Sequence, residues 1–219
     1  MIRIFLLIIL FLYTLNGDML DDANSAYKNK EYLKAIPLYK KLARDGSKEA
    51  NFKLGVIYYS GKGVKRDLNR AVRYFQNAAN KADTKSKYNL AVIYGLKQYV
   101  NHDNRESFNR FLELAKNKDP KAQYRVGMAL LYGIGVDKDY KDAVRWFEQS
   151  YFIGGYKPAG CSLSLMYVMG HGVLVNLGRA AKLAKDGMRY NLPLCKKVYK
   201  EFNLHKYKED KGFKFGFYK

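Results

Sequence analysis

Residues 122–147 read AQYRVGMALLYGIGVDKDYKDAVRWF. Ala122, Val126, Gly127 and Leu130 recur at i, i+4, i+5 and i+8, which places them on one stripe of a helix. Gly133 and Gly135 stop that helix, because glycine takes a positive φ without a steric penalty. Asp139 then suits the N-cap of a second helix, in which Ala143 and Phe147 stand four apart. The stretch predicts two short antiparallel helices joined by a glycine turn. Gly127 and Ala143 are small enough to let them cross closely.

The pattern recurs along the chain. Ala50, Leu54, Gly55, Tyr58, Gly61, Gly63, Val64, Asp67, Ala71 and Phe75 stand 72 residues, two periods of 36, before their counterparts in 122–147. The copy between them keeps Ser86, Leu90, Ala91, Tyr94, Asp103, Ser107 and Phe111, but Lys97 and Tyr99 replace the turn glycines. A fourth copy follows after 37 residues, with Ala159, Leu163, Ser164, Tyr167, Gly170, Gly172, Val173, Asn176 and Ala180. A fixed period in the thirties with a helix–turn–helix in each period predicts an all-α chain, an α-solenoid.

The pattern A-x-x-x-L-G-x-x-Y-x-x-G-x-G-V-x-x-D-x-x-x-A-x-x-x-F at Ala50–Phe75 resembles the Sel1-like repeat, a cousin of the tetratricopeptide (TPR-like) repeat. The resemblance implies a right-handed superhelix of stacked helix pairs and leaves the partner open, since such repeats serve many functions. The expected organisation is 1–17 signal peptide, 18–47 N-terminal capping helices, 48–83 repeat 1, 84–119 a degenerate repeat 2, 120–156 repeat 3, 157–187 repeat 4, 188–203 a C-terminal capping helix and 204–219 a basic aromatic tail.

The 219 residues carry 40 Lys+Arg against 20 Asp+Glu, a net charge of +20, with 48% hydrophobic residues. That apolar share excludes a disordered chain. The charge implies acidic partners or surfaces, unless it is only a lysine-rich compositional habit. Arg3 followed by the apolar run Ile4–Leu15 reads as a secretory signal, too short for a span of about 20 residues. An uncleaved N-terminal anchor is the rival reading and would be the chain's only link to a membrane. Either way the folded part is expected across the inner membrane, in the periplasm. This argues against nucleic acid, for which no recognition module is visible.

The second helix of the N-terminal pair carries Tyr32, Ala35, Ile36, Tyr39 and Leu42 on one stripe, with Pro37 inside it expected to start a new turn or kink the helix. At the other end, His205–Lys219 reads as a mobile tail, with docking as the alternative.

Cysteine-rich secreted proteins that resemble this family have been described as penicillin-binding or weakly β-lactamase-like. Ser25-Ala26-Tyr27-Lys28 matches S-x-x-K, but no S-D-N or K-T-G completes such a site. His102, His171 and His205 lie in separate segments without metal-ligand spacing. No catalytic residue, metal or cofactor is therefore expected. Cys161 and Cys195 stand 34 apart, two residues after Ala159 and Pro193, on neighbouring first helices. A disulfide forms if the two side chains face each other; otherwise they are two small core residues.

In paired-helix solenoids the first helices line the concave face. One position per repeat gives a polar ladder, Lys53, Asn89 and Arg125, then Ser162. An aromatic ladder, Phe52, Tyr88 and Tyr124, runs just before it. By resemblance to the tetratricopeptide carboxylate clamp, the polar ladder would grip carboxylates or an extended peptide. The bland alternatives are a solvated polar row and a set of core aromatics. The expected function is a non-catalytic protein- or peptide-binding scaffold of the cell envelope. The alternatives are a penicillin-binding activity and a basic adaptor for anionic envelope polymers, the latter with steeply salt-dependent binding.

Overall fold

The computed structural model describes residues 18–210, so the expected signal peptide and residues 211–219 lie outside the description. These residues divide between His102 and Asp103 into two compact units. Every regular element among them is a helix. None is long and apolar enough to cross a membrane.

The first unit holds α1 (18–28), α2 (Tyr32–Arg44), α3 (Lys48–Ser60), α4 (Leu68–Ala79) and α5 (Thr84–Tyr94). From α2 on, consecutive helices pack against one another. Tyr39, Leu54, Ile57, Phe75, Leu90 and Ile93 form the centre of one core. Tyr99, which stands where a turn glycine belongs, is buried in that core, edge-to-face with Tyr94 at 5.6 Å. The worn turn has thus exchanged a glycine stop for an aromatic plug.

The second unit holds α6 (Asn104–Lys116), α7 (Pro120–Tyr132), α8 (Tyr140–Glu148), α9 (Lys157–Met169), α10 (Leu177–Met188) and α11 (Pro193–Glu201). A π-helical turn, Gln149–Ile153, continues α8, and a short 3-10 turn, Leu204–Lys206, follows α11. The π turn accounts for the 37-residue step between the third and fourth copies: it takes up the one extra residue without breaking the helix. Ser150 inside it is fully buried and donates to the Pro120 carbonyl at 2.6 Å.

Caps keep the period. Asp67, Asp103 and Asp139 start second helices and accept backbone N–H bonds from Arg70, Glu106 and Asp142. Ser47, Asp83 and Asp119 do the same for the first helices α3, α5 and α7. Each such cap is worth about 1 kcal/mol. In the turn between α7 and α8, Gly133 and Gly135 take φ of 71° and 73°. A β-carbon on Gly135 would also lie 2.1 Å from the Asn104 carbonyl oxygen, so this glycine lets the turn seat on the start of α6.

Three expectations change, and the open question of the cysteines is decided. Helix α2 runs unbroken through Pro37. The proline is on the water side, where solvent can serve the carbonyl it frees. Gly127 faces the Phe147 ring, rather than merely matching another small residue. Cys161 and Cys195 form a disulfide with Cα atoms 4.8 Å apart. Closer helices than a typical crossing permit this, and Gly187 of α10 leaves room: a β-carbon there would meet Cys195 Sγ at 2.1 Å. Finally, the chain after α11 is held as far as Asp210. Leu204 is fully buried, and Asp210 donates its N–H to the Gly178 carbonyl at 3.2 Å.

Candidate peptide-binding surface

Lys53 lies on α3 and Asn89 on α5, both half-buried in the first unit; Arg125 lies on α7, exposed, in the second. Lys53 Nζ sits 4.9 Å from the centroid of the Tyr27 ring of α1, a cation–π contact that orients the ammonium. Ser162 departs from the ladder. It is buried, with its hydroxyl 3.9 Å from Met128 Sδ, because α9 is covered at that position.

The aromatic ladder faces the core at two positions. Phe52 meets Phe75 with ring centroids 5.9 Å apart, and Tyr124 meets Phe147 at 5.7 Å and Tyr156 at 5.4 Å. Tyr88 is half-buried on α5. These rings stiffen the helices from which the polar side chains project.

The first helices carry a second recurring polar position. Asn51 and Gln123, 72 residues apart, are both buried, and their amide nitrogens donate to the carbonyls of Ala43 and Ala115, again 72 apart. Each amide ties a first helix to the end of the helix before it. The signal was present as an amide in an otherwise apolar helix. Asn51 Oδ1 is buried without a hydrogen-bond partner, and Asn51 lines a cleft of about 430 Å³ with Lys40, Ala43, Arg44, Arg73, Tyr74 and Asn77. The cleft lining carries three cations and no acid.

The second unit carries two polar clusters on α10. Tyr151 of the π turn and Lys157 of α9 both donate to Asp186 Oδ2, at 2.6 and 2.9 Å. Burial opposes ionisation of Asp186, but the Tyr151 hydroxyl and the Lys157 ammonium outweigh it and hold the carboxyl below its ordinary range. In the other cluster Tyr167 donates to Glu148 at 3.4 Å and Arg179 donates to the Tyr167 hydroxyl at 3.2 Å. Burial raises the Glu148 carboxyl above its usual value, against the pull of Tyr167 and Arg179.

Ser25 and Lys28 are both exposed on α1. His171 stacks on Tyr140 at 4.6 Å and serves packing there. Among the described residues no three His, Cys, Asp or Glu side chains group as metal ligands would.

Paired helices recurring at a fixed period, each pair buried against the next within its unit, define an α-solenoid repeat protein. Three of its stretches are Sel1 repeats: the Sel1 family model matches residues 48–83, 120–151 and 160–185. Residues 84–119, with the two replaced turn glycines, lie between the first two matches. No curated protein matches the chain. Solved structures share the fold. A Sel1 repeat protein from Oxalobacter formigenes aligns with TM-score 0.68 and 24% identity, over 80% of this chain and 71% of that one. The protective antigen c5321 of uropathogenic Escherichia coli, described as an SLR fold, aligns with TM-score 0.69 and 24% identity over 80% of this chain. This chain spans only 38% of that antigen. A Sel1 repeat protein from Klebsiella pneumoniae aligns with TM-score 0.53 and 18% identity, over 87% and 93% of the two chains.

Proposed function

We propose that this Sel1-repeat protein is a non-catalytic scaffold of the cell envelope that captures acidic segments of other proteins. Each unit offers a binding surface of its own: Lys53 and Asn89 beside Tyr88 in the first, and Arg125 beside Tyr124 in the second. Lys53 and Arg125 bind carboxylates, and Asn89 serves an extended peptide backbone.

The disposition of charge carries this reading. Asp67, Asp83, Asp103, Asp119 and Asp139 are tied to helix N-termini as caps, so the charged side chains left to meet a partner are mostly cationic, in a chain whose net charge is +20 with those acids counted. The Cys161–Cys195 bridge supports an exported chain, since disulfides persist in oxidising compartments. The test is a pull-down with immobilised acidic, neutral and basic peptides, using wild type and the K53E/R125E variant. Retention on the acidic peptide alone, lost in the variant at an unchanged melting temperature, supports the proposal. Equal retention of both proteins removes this ladder as the binding surface.

A further inference from the structure

The fourth repeat departs from the others where the chain's own C-terminal segment lies on it. In α4, Arg70 stacks on the Tyr58 ring at 5.4 Å and pairs with Asp67, the cap of its own helix, at 3.2 Å. The matching residues of the fourth repeat are Arg179 of α10, Tyr167 of α9 and Asn176, the cap of α10. Arg179 stacks on Tyr167 at 5.0 Å, but Asn176 brings no charge. Here the carboxylate comes from elsewhere in the chain: Arg179 Nη2 reaches Asp210 Oδ2 at 3.1 Å.

Asn176 serves both partners. Its Oδ1 caps α10 by accepting from the Arg179 N–H at 2.8 Å, and its Nδ2 donates to Asp210 Oδ2 at 3.3 Å. An aspartate in its place would cap equally well and repel the incoming carboxylate. Gly178 is the second departure. Asn69, Arg105 and Lys141 hold the equivalent position in the other repeats, whereas a β-carbon at 178 would come within 2.5 Å of the Lys208 carbonyl oxygen. The glycine therefore lets an extended backbone approach the helix. Asp210 N–H bonds the Gly178 carbonyl, and Lys185 pairs with Glu209 at 2.6 Å.

We infer that this face of α10 is a binding site for an extended segment bearing two adjacent carboxylates, and that Glu209-Asp210 is its resident occupant. The receptor stands without the segment, because Arg179 is positioned by the hydroxyl and ring of Tyr167. The occupant is held by two partly exposed ion pairs, which contribute little and exchange readily, and by the single hydrogen bonds from Asn176 and to the Gly178 carbonyl. Leu204 anchors the chain upstream, so release of residues 207–210 leaves the core covered. A partner protein presenting an acidic extended strand takes the same place. The site does not depend on Lys53 or Arg125.

The experiment uses the full chain, wild type against E209Q/D210N, titrated with a fluorescent peptide of residues 206–210 and with the same peptide carrying Gln-Asn in place of Glu-Asp. The double variant is expected to bind the acidic peptide at least tenfold tighter than wild type does, and to ignore the neutral one. Adding R179M or G178A should abolish the gain, while adding K53E/R125E should leave it intact. Melting curves confirm that each variant is folded. Equal affinity of wild type and E209Q/D210N, or no binding to either, overturns the inference. A wild-type dimer that dissociates on E209Q/D210N substitution would identify a second copy's tail as the occupant and overturn the assignment to a partner protein.

Discussion

The ring of Phe147 in α8 lies against the α-carbon of Gly127 in α7, so closely that a β-carbon there would sit 2.7 Å from it. Gly55 and Phe75 make the same pair in the first unit, at 2.6 Å. In the fourth repeat both members change together. Ala184 replaces the phenylalanine, and Ser164 replaces the glycine and donates to the Ala180 carbonyl at 2.8 Å. The helix pair thus closes by glycine and a large ring, or by two small side chains.

Substituting Gly127→Ala should therefore destabilise the second unit. The gain in helix propensity is about 1 kcal/mol, while forcing a methyl against a packed ring costs about 1–3 kcal/mol. The expected net effect is a loss of up to about 2 kcal/mol from the same two terms. Urea unfolding measures it. F147L in the G127A background should recover part of the loss, whereas F147L alone should cost stability.

The bridge between Cys161 and Cys195 closes a loop of 34 residues. Chain-entropy arguments assign such a loop about 3–4 kcal/mol. The C161A/C195A variant should lose stability of that order, and reductant should lower the wild-type melting temperature while leaving the variant's unchanged. Gly187→Ala should also destabilise the chain, because its methyl collides with both sulfurs. A wild-type melt indifferent to reductant would contradict this account of the C-terminal end.

Glu148 gives a pH dependence with a definite sign. Its folded-state carboxyl titrates above the unfolded value, so the folded state binds the proton more tightly. Stability from this group therefore falls as pH rises from about 4.3 through the raised folded value. Glu148→Gln keeps an acceptor for Tyr167 and removes the buried charge. Its melting temperature should exceed that of wild type at pH 7, and the gap should shrink toward pH 4. A gap that is constant across this range would show that burial does not govern the group.

Much of the fold was legible because the repeat writes its geometry in residues with few alternatives. Turn glycines, aspartate caps and the alanine–phenylalanine pair each demand one backbone or packing arrangement, and they recur at one spacing. The π turn was visible only as a 37-residue step, since an inserted residue does not say how it is absorbed. The tie that Asn51 and Gln123 make to the preceding helix was not legible, because a buried amide resembles any polar residue until its carbonyl partner is located. The docking of Glu209 and Asp210 was hidden by composition: lysines and aromatics dominate the last stretch, yet two acids hold its beginning. Ser162 fell off the ladder because sequence spacing gives a position on a helix but not what covers it.

Acid capture, by Lys53 and Asn89 in the first unit and by Arg125 in the second, is tested most directly by an NMR titration of the isotopically labelled chain with an extended acidic peptide. Saturable shifts centred on the amides of Lys53, Asn89 and Arg125, absent with a neutral peptide and lost in K53E/R125E, are the predicted result. An acidic peptide that leaves these three amides unmoved, or that titrates K53E/R125E as it titrates wild type, would contradict it.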